Sequence, residues 1–199
     1  MTKMSVLIFK NFLSKDKCDE LNSWVELGVK NKWLDVGTTR ESGFEYKYRL
    51  TTRNYGDRFE YPTLAYEVFD KISNVLGLRD VPKSVAGAGK DGIVVSYTLP
   101  GGDVYEHTDT MEGNLHVLRC NIMTQAAEHG AALFIDRKEI KIEVGDLHCY
   151  LPSAVLHSVT EVKGNTPRIL WMFGYQISKK NFSIIEKNYR RAIWPTQPE

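Results

Sequence analysis

Cysteine is scarce in this sequence. Cys18, Cys120 and Cys149 are the three present, an odd count with no CxxC spacing. That pattern argues against a disulfide framework and for reduced thiols that fill space in a cytoplasmic protein. Long apolar runs are missing too. Nothing approaches the roughly 20 residues a helix needs to cross a bilayer. The apolar stretch from Ser5 to Phe9, stopped by Lys10, is too short for a signal peptide. Neither sign of charge is in excess: 26 Lys+Arg stand against 25 Asp+Glu, a formal net charge of +1. Nothing in that balance points to nucleic acid or to an anionic membrane. Internal repeats and low-complexity segments are absent.

What remains is the composition of a globular protein. The 199 residues are 42% hydrophobic and 26% charged, enough to bury a core without crosslinks. The length suggests one domain. A short strand, Val6 to Phe9, comes first. Ser14 then stands as an N-cap before a segment with Cys18, Leu21 and Val25 on one face. A second helix is clearer: Pro62 suits its first turn, Ala65, Val68, Phe69, Ile72, Val75 and Leu76 form its stripe, and Gly77 follows as a C-terminal cap. Between the helices lies a polar segment from Asp35 to Glu60 carrying Arg40, Arg49, Arg53 and Arg58. It reads either as a binding loop or lid, or as an irregular edge with short strands.

From Gly92 onward the character changes. Short β-rich runs recur at Ile93–Tyr97, Leu118–Met123, Ala131–Ile135, Ile140–Val144, Leu147–Leu151, Val155–Val162 and Arg168–Ile177, broken by turn residues such as Pro100-Gly101-Gly102 and Gly145-Asp146. Many short strands without helices between them predict a sandwich or barrel rather than a βαβ fold. A short basic helix is expected from Phe182, carrying Lys187, Arg190 and Arg191.

Five histidines are present: His107, His116, His129, His148 and His157. In His107-Thr108-Asp109 an extended backbone puts positions i and i+2 on one side, so an imidazole and a carboxylate can reach one metal ion. Alone this pattern is weak. His157 lies 157 − 107 = 50 residues on, inside the β-rich half. Two histidines and one carboxylate form the facial set suited to non-haem Fe(II), with open positions opposite for an oxo-acid and O₂. Arg168 follows His157 by 168 − 157 = 11 residues and opens a strand that is apolar on both faces: Leu170 and Met172 on one, Ile169, Trp171, Phe173 and Tyr175 on the other. A guanidinium buried there needs an anionic partner, and the fork of an arginine matches a carboxylate. The plainer alternative is an exposed strand end or pairing with a local acid. His148 could serve as the distal histidine in another register, although the interval to Arg168 then becomes too long. His116 and His129, in polar surroundings, read as surface or loop residues.

The order Tyr97, Gly101-Gly102, His107-Thr108-Asp109, Gly130, Pro152, His157, Arg168 resembles the Fe(II)/2-oxoglutarate-dependent dioxygenases, and most closely their prolyl 4-hydroxylase-like subgroup. The likeness covers about Ile93 to Ile177. It implies a mainly β fold with supporting N-terminal helices, a double-stranded β-helix or jelly roll. One domain is expected, with helical support over about 1–90, the β-helix core over about 91–178 and a tail over 179–199. The resemblance also assigns roles. His107, Asp109 and His157 would bind Fe(II), and Arg168 would pair with the distal carboxylate of the cosubstrate 2-oxoglutarate. Tyr97 would hydrogen-bond the same cosubstrate, and Asn121 is a weaker candidate beside it. O₂ would be consumed, succinate and CO₂ released, and an unactivated C–H bond of a proline, another amino acid or a protein side chain hydroxylated. The segment Thr110 to His116 and the loop Asp35 to Glu60 would flank the pocket.

Two departures stand out. The family's double glycine reads Gly130-Ala131-Ala132, a change expected to affect packing only. Leu170 stands where many members place Ser or Thr, which leaves open the hydrogen bonding around the cosubstrate carboxylate. Related halogenases lack the carboxylate, so the retained Asp109 favours hydroxylation, or another O₂-driven oxidation, over halogenation. Two other classes compete. One is a non-catalytic metal-binding β-sandwich module, which has no use for Arg168; the other is a zinc hydrolase on a jelly roll, active without 2-oxoglutarate or O₂.

Overall fold

The computed structural model describes residues 6–38, 45–52, 59–84 and 90–193. Chain order begins β1 (Leu7–Phe9), α1 (Lys15–Lys30), β2 (Asp35–Thr38), β3 (Glu45–Thr51) and α2 (Thr63–Leu76). Then come β4 (Ile93–Thr98), β5 (Val104–His107), β6 (His116–Gln125), β7 (His129–Gly130), β8 (Leu133–Ile135) and β9 (Lys138–Ile140). The chain continues with β10 (Leu147–Tyr150), β11 (His157–Val159), β12 (Val162–Lys163), β13 (Arg168–Ile177) and α3 (Lys179–Ile193).

The strands form a seven-stranded sheet in the order β1-β10-β6-β13-β4-β3-β2, a four-stranded sheet in the order β5-β11-β8-β9, and the small pair β12-β7. Every recorded pairing is antiparallel. This is a jelly-roll-like architecture, as the recurring short strands predicted.

The two faces of the large sheet bury different partners, and β13 shows why. Its residues alternate across the sheet plane. Ile169, Trp171, Phe173 and Tyr175 join Leu21 and Val25 of α1 and Val68, Phe69 and Ile72 of α2 in the main core. Trp24 of α1 packs against Trp171 and Tyr61, with ring centroids 5.6 and 5.4 Å away. Leu170 and Met172 face the other way and meet Val94 and Met123. On that inner side Tyr150 of the large sheet packs with Leu133, Ile135 and Val159 of the small one. The space between the two sheets is thus lined by the even-numbered positions of β13, beginning with Arg168.

The helices follow their sequence signals. Gly77 caps α2 in the left-handed conformation (φ 68°) that suits glycine. Pro62 stands immediately before α2, and Ser14 occupies the N-cap of α1 without a side-chain capping bond. The helix expected from Phe182 begins three residues earlier, at Lys179, and buries Phe182 and Ile185. The segment from Asp35 to Glu60 takes the second of its two readings where it is described. β2 pairs with β3, and β3 with β4, so this part of it widens the large sheet. Arg40, Arg53 and Arg58 lie outside the described residues.

One expectation is corrected. The Gly130-Ala131-Ala132 departure is not a matter of packing alone. Ala131 has φ +53°, a left-handed conformation in which a side chain is strained and glycine is not. Gly130 at φ +71° lies so close to Glu161 that a Cβ would collide with its carbonyl oxygen.

Candidate metal centre

His107 and His157 meet because β5 and β11 are neighbours in the small sheet. The two residues are direct cross-strand partners, so their side chains share one face. Their ring centroids are 4.3 Å apart. Asp109 follows β5 and is held by its backbone N–H, which donates to the carbonyl of Pro152 at 3.0 Å. Its Oδ1 lies 3.2 Å from His107 Nε2 and 3.7 Å from His157 Nε2. Ligand atoms of the three residues all fall within 4.8 Å of one another. Among the described residues this is the grouping able to hold an ion.

The tautomers decide what that grouping accepts. His107 Nδ1 lies 2.8 Å from the carbonyl oxygen of Tyr105. His157 Nδ1 faces the carbonyl of Val155 at 3.5 Å. A carbonyl only accepts, so each Nδ1 is a donor, and Nε2, the atom turned toward Oδ1, is the one each ring can offer to an ion. Two ring nitrogens and one carboxylate oxygen are thus offered to one point, the donor set that a cation lying between them would take. Backbone carbonyls that orient imidazoles in this way are the usual support of metal-ligating histidines. The residues present therefore fit a divalent metal ion of the N,N,O facial type.

Electrostatics agree. Burial lowers the His157 pKa to about 4, only partly opposed by Asp109, so the ring is neutral at pH 7. Burial alone would raise the Asp109 carboxyl. Arg119 foremost, with His107 and His157 beside it, outweighs that and holds the carboxyl well below the usual carboxylate range.

Arg168 lies deeper, 6% exposed, at the start of β13. Its Nε has no hydrogen-bond partner, and no acid among the described residues lies within ion-pair distance of it. Burial lowers its pKa to about 10, and the charge of nearby Arg49 adds to the effect. Arg49 on β3 stands across β4 from Arg168, both in register with Thr98, and its Nε donates to Ser96 Oγ at 2.7 Å. Leu170, which supplies no hydroxyl, has Ser96 as its cross-strand partner.

The remaining sequence candidates divide. Asn121 lines the inner face opposite Met172, and its Nδ2 lies 3.3 Å from Nε2 of buried His148. Asn121 Oδ1 and His148 Nδ1 are left without partners. Burial, aided by Arg168, lowers the His148 pKa to about 3. His148 is therefore an interior neutral histidine and not a member of the metal-binding group. Tyr97 does not join Arg168. Its cross-strand partner is Ile169, and its ring packs against the helix-covered core on the opposite face. The strand period that brings Arg168 inward turns Tyr97 outward. His116 is half-buried, with Nδ1 2.8 Å from Ser153 Oγ, and His129 is exposed.

Two inner-face residues escaped the sequence reading. Tyr150 on β10 sets its ring 5.6 Å from that of His157. Burial raises its pKa to about 12, against the opposing charges of Arg119, Arg168 and Arg49. It therefore stands beside the metal-ligating residues, within electrostatic reach of the buried arginine. Arg119, its cross-strand partner on β6, pairs with Asp109 Oδ2 at 2.5 Å. The only sequence signal for either was its parity on a strand whose register was unknown.

No protein-family model matches the sequence, and no curated protein matches it. Solved structures do. The viral collagen prolyl hydroxylase of Paramecium bursaria Chlorella virus-1, in its 2-oxoglutarate complex, is 15% identical with a TM-score of 0.58, covering 89% of this chain and 98% of its own. A prolyl hydroxylase from Trichoplax adhaerens, in complex with a hypoxia inducible factor peptide, is 16% identical with a TM-score of 0.64, covering 90% and 86%. HygX from Streptomyces hygroscopicus, with nickel and 2-oxoglutarate bound, is 11% identical with a TM-score of 0.58, covering 88% and 84%. With its two opposed antiparallel sheets and helices on one face, this chain shares the jelly-roll fold of these solved prolyl hydroxylases and of HygX.

Proposed function

We propose that this protein is a single-domain Fe(II)- and 2-oxoglutarate-dependent dioxygenase that hydroxylates an unactivated C–H bond. The observation that carries the reading is the convergence of three ligand atoms on the inner face that also buries Arg168 without an acid among the described residues. A metal-holding module requires the first feature but gains nothing from the second, which costs stability until an anion arrives.

In this reading His107, Asp109 and His157 hold the ion on one face. Bound there with 2-oxoglutarate, Fe(II) would supply activation of O₂, with succinate and CO₂ as products. The chain's own residues do the positioning. The carbonyls of Tyr105 and Val155 fix both imidazole tautomers, and Pro152 fixes the backbone of Asp109. Arg168 binds the distal carboxylate of the cosubstrate, with Tyr150 beside the ion and Asn121 on the same wall. The side chains of His107 and Asp109 keep 22% and 19% exposure, so the centre opens toward solvent where a substrate can approach.

The substrate we propose is a proline, another amino acid or a protein side chain, in keeping with the resemblance. Three free, buried cysteines support a cytoplasmic setting, and no helix among the described residues is long and apolar enough to cross a membrane.

The test is anaerobic addition of Fe(II) and 2-oxoglutarate to the folded protein. The reading expects the weak visible charge-transfer band of the chelate. Folded protein that gives no band would sink it. Activity in the absence of O₂ and 2-oxoglutarate would favour the zinc hydrolase instead.

A further inference from the structure

Asp109 divides its two oxygens between different partners. Oδ1 is turned to the imidazoles, 3.2 Å from His107 Nε2 and 3.7 Å from His157 Nε2. Oδ2 is turned away from them, to Arg119 Nη2 at 2.5 Å. Contact with Arg119 is at ion-pair distance without the alignment of a hydrogen bond. Arg119 is itself held. It projects from β6, the long strand beside β13, and its other terminal nitrogen, Nη1, reaches Met172 Sδ at 3.5 Å across the inner face. Both partners are largely shielded, with side-chain exposures of 18% for Arg119 and 19% for Asp109, where solvent screens an ion pair less than at the surface.

We propose that Arg119 is a positioning residue for the metal centre. By holding Oδ2 it presents Oδ1 alone to the ion, so that Asp109 binds through one oxygen. A carboxylate free to rotate could instead chelate through both and occupy a position that the cosubstrate needs. A guanidinium suits this task because one terminal nitrogen can lie against Oδ2 while the other is fixed separately, here by Met172 Sδ. The inference rests on the dioxygenase reading only in taking the triad as a metal centre. The role belongs to Arg119 whichever substrate is oxidised.

The test compares wild type with Arg119→Met and Arg119→Lys in the full chain, under anaerobic conditions. Fe(II) affinity is measured without cosubstrate, and the charge-transfer band is then recorded with 2-oxoglutarate. Met keeps much of the volume and loses the charge; Fe(II) affinity is expected to fall 10- to 100-fold, the usual cost of losing an outer partner of a metal ligand. Lys keeps the charge but not the fork, so a smaller loss of roughly 3- to 10-fold is expected, with a displaced band maximum reporting the altered coordination. Should the Met variant fail to fold, the Lys variant decides. Wild-type Fe(II) affinity and an unmoved band in the Lys variant would overturn the positioning role, even if both variants melt at a lower temperature. A wild type that binds no Fe(II) is a different failure: it would remove the metal centre itself, and this role with it.

Discussion

Replacing Arg168 with Met should make the metal-free protein more stable and its cosubstrate binding much worse. The guanidinium is 6% exposed, its Nε lacks a partner, and its pKa falls from 12.5 to about 10, chiefly through burial. That lowering corresponds to about 3 kcal/mol of disfavoured charge. An unsatisfied buried donor costs about 1–3 kcal/mol by itself. Met has comparable length and no polar atom, and Leu170, Met172, Val94 and Met123 already form an apolar cluster on that face. Relief of about 1–3 kcal/mol would raise the melting temperature by roughly 2–10 °C for a chain of this size. With 2-oxoglutarate the sign reverses. Losing one partner of a buried charge pair costs about 2–5 kcal/mol, or roughly 30- to 5,000-fold in affinity. Thermal melts with and without 2-oxoglutarate, and an anaerobic titration of the charge-transfer band, read both effects. Fe(II) affinity without cosubstrate should stay within about threefold, since Arg168 is not among the ligand residues. A variant that melts well below wild type and still binds 2-oxoglutarate as tightly would refute the reasoning, because Arg168 would then be a structural residue.

Asp109→Ala removes the one carboxylate of the ligand group and should abolish succinate formation; turnover at the wild-type rate would show the triad to be misassigned. Tyr150→Phe should weaken 2-oxoglutarate binding by roughly 3- to 10-fold, the worth of one hydrogen bond, while leaving Fe(II) binding intact; unchanged cosubstrate affinity would remove Tyr150 from the pocket. His148 has a pKa lowered to about 3 when folded and an ordinary value of 6.5 when not. Between those values the unfolded chain binds more protons, so stability falls as pH drops through that window. The metal-free protein should lose about 2 kcal/mol from this residue between pH 7 and pH 5. Denaturant melts should show that loss shrinking in His148→Leu, and an unchanged pH slope would contradict it. Gly145→Ala should destabilise by more than about 1 kcal/mol, since a left-handed φ of +85° disfavours a side chain and its Cβ would strike the Leu13 carbonyl oxygen. A melt within error of wild type would count against that geometry.

The amino-acid sequence by itself determined the elements whose signals are local. The apolar stripe and glycine cap of α2, and the ten-residue strand from Arg168 with its two differently packed faces, are written in periodicity and turn chemistry. The ligand set was legible as residue types at intervals, because two imidazoles and a carboxylate are a chemically restricted choice. Three things depended on the tertiary structure. β5, Val104-Tyr105-Glu106-His107, is too short to show a period of its own; pairing with β11 makes it a strand and sets His107 opposite His157. Tyr97 and Tyr150 look alike as tyrosines on strands, but a one-residue difference in parity sends the first to the helix-covered face and the second to the metal-binding face. Arg119 reads as an ordinary strand arginine until β6 is laid beside β13 and β10. Side-chain direction alternates at every residue, so only the register of strands distant in sequence decides which polar groups meet in the interior.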